Sequence, residues 1–151
     1  MFLKKLGIHG LRNLSHNEIH LSPTSNFFYG VNGSGKTSLL EAIHVLGRGR
    51  SFRSRTLDPI INEKEQTCTV HGLVKTKNST VSLGVTRSRA KEFEFKIDGQ
   101  NIASAALLAD TMPLIVLNSD TFRLLDSGPQ HRRQYIDWGV FHVEHAYRGL
   151  L

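Results

Sequence analysis

Three glycines, a lysine and a threonine punctuate the stretch FFYGVNGSGKTSLLEAI, Phe27 to Ile43. Gly30, Gly33, Gly35, Lys36 and Thr37 fit the spacing G-x-x-x-x-G-K-[ST] in full, with an apolar run before it and an amphipathic run after it. That context is the one a phosphate loop needs. Glycines let the backbone curl until successive N–H groups face inward on phosphate oxygens, in conformations a side chain would obstruct. The start of the following helix adds unpaired N–H groups and the positive end of its dipole. Lys36 is expected to reach the β- and γ-phosphates and the Thr37 hydroxyl to ligate Mg²⁺, so these two are the candidate catalytic residues. The rest of the candidate binding loop is Gly30, Val31, Asn32, Gly33, Ser34, Gly35 and Ser38, with Asn32 and Ser34 acting mainly through their backbone. The expected ligand is a nucleoside triphosphate with Mg²⁺. An N-K-x-D run, the mark of guanine specificity, does not occur in the sequence, so adenine is the expected base.

Hydrolysis asks for more: an acid at a strand end to hold the metal through water, and a group to orient the attacking water. The apolar run PLIVLNSD is the place to look, but Asn118 follows Leu117, and Asp120 comes two residues later. No second ATPase motif is evident. Arg48, Arg50, Arg53 and Arg55 fall within eight residues, and no acid lies between Glu41 and Asp58. Arginines at that density beside a phosphate loop suggest a surface for DNA backbone or for the triphosphate itself, through bidentate contacts and counterion release. Arg87, Arg89 and Lys91 read as a solvated turn, and Arg132 and Arg133 as a helix face with Asp137 one turn on from Arg133. His142 and His145, three residues apart, are too few to make a zinc site.

These residues need elements to hold them. Leu6 and Ile8, then Ile19 and Leu21, recur at alternate positions and predict two half-buried strands, the second closed by Pro23. NFFYG, residues 26–30, reads as a buried strand feeding the loop. The helix is expected from Lys36 to Leu46, with Leu39, Leu40, Ile43 and Leu46 on one face and Gly47 and Gly49 as the stop. From Cys68 the period becomes two, through CTVHGLV, TVSLGVT and FEFKI, and Asp98-Gly99 signals a hairpin turn, so a small antiparallel sheet is expected. IASAALLAD reads as a short helix, MPLIVLN as a buried strand, and SDTFRLLD and GPQHRRQYIDWGVF as two more helices. The last of the sequence, HVEHAYRGLL, stops in helix-like pattern, as expected of a fragment. No repeat, low-complexity tract or linker divides the chain.

Composition sets the bounds. At 151 residues, 39% hydrophobic and 21% charged, the sequence suits one globular domain and not a disordered chain. No apolar run nears the roughly 20 residues that span a bilayer, and no secretory pattern opens the chain, so no membrane partner and a cytoplasmic location are expected. The lone Cys68 cannot form an internal disulfide, which fits a reducing compartment. A formal charge of +6 and a pI of about 9.8 make nucleic acid a candidate partner.

Five separated blocks, LGIHGLRNL, GVNGSGKTSLLEAI, LGRGRSFR, IDG and GPQHRRQYIDWGVFH, together resemble the N-terminal part of the RecF family of bacterial DNA-repair proteins, relatives of the SMC-type heads among ABC-class ATPases. The resemblance covers nearly the whole chain. It implies an α/β fold, the P-loop lobe (lobe I) of an ABC-type ATPase with an attached antiparallel β-sheet, over residues 1–151. It also implies binding of ATP and Mg²⁺, ATP-dependent homodimerisation, binding to double-stranded and gapped DNA, recombinase loading with recombination mediator proteins, and a part in the SOS response. In such heads ATP lies between two subunits, and the signature serine motif and Walker B acid belong to the C-terminal half. Neither is present here, so the resemblance implies a lobe that does not hydrolyse ATP alone. By position the family's arginine near the first strand falls on Arg12 and its arginine after the first helix on Arg53. The metal-sensing glutamine of related ATPases has no counterpart in VLNSDTF, where Asn118 or Asp120 stands instead. Two alternatives remain open from the residues themselves: a small-molecule P-loop kinase with the basic stretch as its lid, and a DNA-binding module whose ATP is never hydrolysed.

Overall fold

The computed structural model describes residues 1–54, 60–90 and 92–117, with Pro129, Arg133, Ile136, Asp137, Gly139 and Val140 from the remainder. The chain forms two compact units, Met1–Met112 and Pro113–Leu151.

The first unit is built on one antiparallel sheet of six strands: β1 (Phe2–Leu11), β2 (Leu14–His20), β3 (Thr67–Lys75), β4 (Thr80–Ser88), β5 (Phe93–Ile97) and β6 (Gln100–Asn101), in the order β2-β1-β3-β4-β5-β6. The period-two reading of β3 holds, since Cys68, Val70, Gly72 and Val74 are buried while their neighbours are not. β4 follows the same rule with Leu83 and Val85. Asp98 (φ 48) and Gly99 (φ 78) both take left-handed backbone, as the mirror-image hairpin turn between β5 and β6 requires. Burial, reinforced by the Glu41 charge and only partly offset by Arg87, pushes the Cys68 thiol up to about 12. It stays a neutral packing group.

Helix α1 (Lys36–Arg48) lies across this sheet and against the short helix α2 (Ala106–Thr111). Thirteen residues are at the margin of what stands alone as a helix in water, so burial against the sheet holds α1 together. Ala42, Val45 and Leu46 of α1 are buried, as are Leu6, Ile8, Leu11, Val70, Val74 and Leu83 of the strands it packs against. Each fully buried aliphatic side chain contributes roughly 1.5–3 kcal/mol. The buried face differs from the expected one. Leu39 and Ile43 are only half-buried and Leu40 is 48% exposed, whereas Ser38, Glu41 and His44 are buried. Gly47 lies inside the helix, and the stop falls at Gly49, whose left-handed backbone (φ 63) donates its N–H to the Val45 carbonyl at 2.8 Å.

The expected buried strand at 26–30 is not a strand: Phe27 is 87% and Tyr29 93% exposed. An apolar run becomes a strand only with a neighbour to bond, and among the described residues none pairs with it. The expected strand over 112–118 fares likewise as far as it is described, with Ile115 and Leu117 exposed. Of the two later expected helices, Pro129, Arg133, Ile136, Asp137, Gly139 and Val140 are helical. Asn118, Asp120, Arg132, His142 and His145 lie outside the described residues. Among the described residues no helix is long and apolar enough to cross a membrane.

Candidate nucleotide-binding site

The glycine-rich loop leads into α1 through Gly35, whose φ of 99° is a conformation open to glycine and strained for other residues. Space enforces the same choice, because a Cβ there would stand 2.8 Å from Leu14 Cδ2. The Lys36 ammonium donates to the carbonyls of Gly30 and Val31, each at 2.8 Å, and so folds back over the loop. The side chain that is to meet a phosphate is already centred on the curl.

A cavity of about 760 Å³ opens over this loop, a size that suits a small ligand. Asn32, Gly33, Gly35, Lys36, Thr37 and Ser38 form its floor, so the phosphate-loop residues expected from spacing converge on one space. Gly30, Val31 and Ser34 stand off it, and Val31 is exposed. Ser38 is present with its hydroxyl turned away, donating to Asn13 Oδ1 at 2.8 Å. Across the cavity stand Arg12 and Arg53, and then Ile61 to Lys64.

Arg12 occupies the two-residue turn between β1 and β2 with φ 53, a left-handed conformation uncommon outside glycine, asparagine and aspartate. Among the described residues, three anchors hold it there. Its N–H donates to the Ile60 carbonyl at 2.7 Å, its own carbonyl accepts from Asn62 Nδ2 at 2.6 Å, and its side chain grips Glu41. Nε donates to Glu41 Oε2 at 3.0 Å and one terminal nitrogen donates to Oε1 at 2.9 Å, the bidentate fork that arginine makes best. Glu41 is wholly buried on α1. Ser51 Oγ donates to Glu41 Oε1, and the Arg53 guanidinium lies 3.7 Å from Oε2. Burial alone would raise the Glu41 carboxyl, but the hydrogen bonds from Arg12 and Ser51 and the charges of Arg12 and Arg53 outweigh it and hold the group below its ordinary range.

Sequence reasoning missed Asn13, Glu41, Ser51 and Asn62. Asn13 is the clamp between sheet and loop, since its Nδ2 donates to the Gly33 carbonyl at 2.9 Å while its Oδ1 receives Ser38. Glu41 left one signal: a carboxylate between Leu40 and Ala42 on a helix meant to bury one side. For the basic cluster, the structure separates the members. Arg53 lines the cavity over the loop and Arg50 is exposed. Arg48 is half-buried in the last turn of α1, its guanidinium pKa lowered by burial and by Arg50. Arg55 lies outside the described residues. Among the described residues no group of three or more His, Cys, Asp or Glu side chains is placed to hold a metal. Mg²⁺ would fit here as that ion usually binds nucleotides, with the Thr37 hydroxyl beside phosphate oxygens and water.

A glycine-rich loop capping a helix laid on an antiparallel sheet defines the class, the P-loop lobe of an ABC-type ATPase head. The chain belongs to the RecF/RecN/SMC N terminal domain family, whose model matches residues 2–122. It is 53% identical over 145 residues to the DNA replication and repair protein RecF of Pseudomonas entomophila, covering 95% of this chain and 40% of that protein. Among solved structures, the recombination mediator protein RecF-ATPrS in the RecFOR pathway superposes with a TM-score of 0.85 at 26% identity, over 97% of this chain and 40% of that one. An SMC ATPase, from work on ATP-driven dimerisation and DNA-stimulated activation, superposes with a TM-score of 0.73 at 19% identity, over 91% of this chain and 99% of that one. The last likeness is one of fold. The chain spans about 40% of the length of the curated relatives it matches.

Proposed function

We propose that this chain is the nucleotide-binding lobe of an ATP-dependent DNA replication and repair protein of the RecF kind. The observation that carries the reading is the convergence of Lys36, Thr37, the loop backbone, Arg12 and Arg53 on one cavity. In this reading the inward N–H groups and Lys36 hold the triphosphate, Thr37 holds Mg²⁺, and the two arginines face the ligand's negative charge. Lys36 gives up its two loop carbonyls for phosphate oxygens, exchanging neutral acceptors for charged ones. The relatives' names and the solved RecF complex with a nucleotide support ATP as the ligand.

The finer reading follows the family. The signature serine and Walker B acid would come from a C-terminal half of the head, so that residues 1–151 bind nucleotide and hydrolysis requires the completed, ATP-bridged homodimer. Such a dimer would act in the cytoplasm on double-stranded and gapped DNA, with mediator proteins, in recombinase loading and the SOS response. Of the basic cluster, Arg50 and Arg55 would meet the DNA backbone, while Arg53 faces the nucleotide and Arg48 is half-buried in α1.

The test is direct. Lys36→Ala should abolish binding of a fluorescent ATP analogue, measured by anisotropy in Mg²⁺, while circular dichroism stays that of the parent chain. Unchanged affinity in that variant overturns the assignment.

A further inference from the structure

Glu41 is the charged group that the phosphate-loop chemistry leaves without a task. It is wholly buried, it sits on the helix that carries the loop, and it does not line the cavity. Its two oxygens take four donors or cations from three places in the chain: two nitrogens of Arg12, the Ser51 hydroxyl, and the guanidinium of Arg53. Two of those three partners, Arg12 and Arg53, line the nucleotide cavity. The third, Ser51, fixes the loop that bears Arg53, because its Oγ also accepts the N–H groups of Arg53 at 2.9 Å and Ser54 at 3.1 Å.

We propose that Glu41 is a positioning residue for nucleotide binding, the buried carboxylate that aims Arg12 and Arg53 at the ligand from behind. The inference rests on the nucleotide-binding reading above and deepens it. A guanidinium presents five N–H donors in one rigid plane, so gripping one edge of Arg12 sets where the other edge points. An uncharged amide cannot replace the grip. Glutamine has one acceptor oxygen where glutamate has two, and its NH₂ would meet either an Arg12 N–H or the Ser51 hydroxyl proton, donor against donor.

Two simpler roles predict different results, which makes the proposal testable. If only charge mattered, removing a carboxylate next to the cavity would leave it more positive and bind triphosphate more tightly. If Glu41 only packed the helix, its loss and that of Arg12 would weaken binding independently. Positioning predicts weaker binding with losses that do not multiply, because both changes remove the same phosphate contact.

The experiment measures the dissociation constant of a non-hydrolysable ATP analogue with Mg²⁺ for the 151-residue chain and for Glu41→Gln, Arg12→Ala and the double variant. Arg12→Ala should weaken binding about tenfold, the size expected for a hydrogen bond to a charged group, Glu41→Gln at least as much because Arg53 is released too, and the double variant should be no weaker than Glu41→Gln alone. Equal or tighter binding by Glu41→Gln overturns the proposal, and so do losses that multiply. Should Glu41→Gln fail to fold, Glu41→Asp takes its place in the cycle. It keeps the charge but falls one methylene short, and the same non-multiplying loss is expected, with parent-like or multiplying values counting against the proposal. A parent chain that binds no analogue overturns the nucleotide reading, and this inference falls with it.

Discussion

His44 brings burial, hydrogen bonding and charge to bear on one ring. Its Nδ1–H donates to the Arg50 carbonyl at 2.6 Å, and the ring meets Phe52 edge-on with centroids 5.5 Å apart. Burial is the largest influence on its pKa and lowers it. The Arg50 carbonyl and Glu41 work the other way, but the positive charges of Arg48 and Arg50 side with burial, and the net shift is downward from 6.5. The sign for stability follows. Below pH 6.5 the unfolded chain protonates His44 while the folded chain does not, so the unfolded state binds more protons and stability is lost as pH falls through that window. Glu41 is held below its ordinary value of 4.5, so its own contribution is lost as pH falls below that value. His44→Asn keeps a donor for the Arg50 carbonyl and removes the titration. We expect the parent's thermal midpoint to fall more steeply than the variant's between about pH 6.5 and 5.5. Parallel curves would show that His44 carries no such linkage.

At the scale of elements, Gly49 joins three of them. A Cβ there would stand 2.8 Å from Phe95 of β5 and 2.9 Å from Ala105 at the start of α2, and the φ of 63° is strained for alanine besides. Backbone strain of about 1–2 kcal/mol and overpacking of about 1–3 kcal/mol act in the same direction. Gly49→Ala should therefore lower the urea midpoint by an amount worth about 2 kcal/mol or more, with the slope unchanged, and a midpoint equal to the parent's would rule out this account. The glycine-rich turn into α1, the β5–β6 turn and the alternation of β3 and β4 were all legible in the sequence, because each depends on residue types at fixed local spacing. Two things were not. The runs at 26–30 and 113–117 say what prefers burial and leave unsaid what would cover it. The buried side of α1 was misjudged because Glu41 is made tolerable by Arg12, 29 residues away in sequence, and no local count of hydrophobicity contains that partner. Asn13 was hidden in the same way, its two contacts lying in the loop and the helix.

For the whole molecule, the question is where its formal charge of +6 does work. Part of the basic cluster is already committed inside the fold. Arg53 shares Glu41 and lines the cavity, and Arg48 is half-buried, so a variant at either would disturb the helix or the nucleotide before it reported on an outside partner. Arg50 is different. Its side chain is exposed, and its carbonyl accepts from His44. If the molecule meets a DNA backbone through this loop, Arg50 neutralises one phosphate and releases about one condensed counterion. Arg50→Ala should then weaken duplex binding severalfold at low salt and reduce the slope of log affinity against log salt by about one. Arg53→Ala should instead weaken binding of both DNA and the ATP analogue. A titration of each variant against duplex at several salt concentrations separates these outcomes. An Arg50→Ala slope equal to the parent's would move the DNA surface off this loop while leaving the nucleotide site intact.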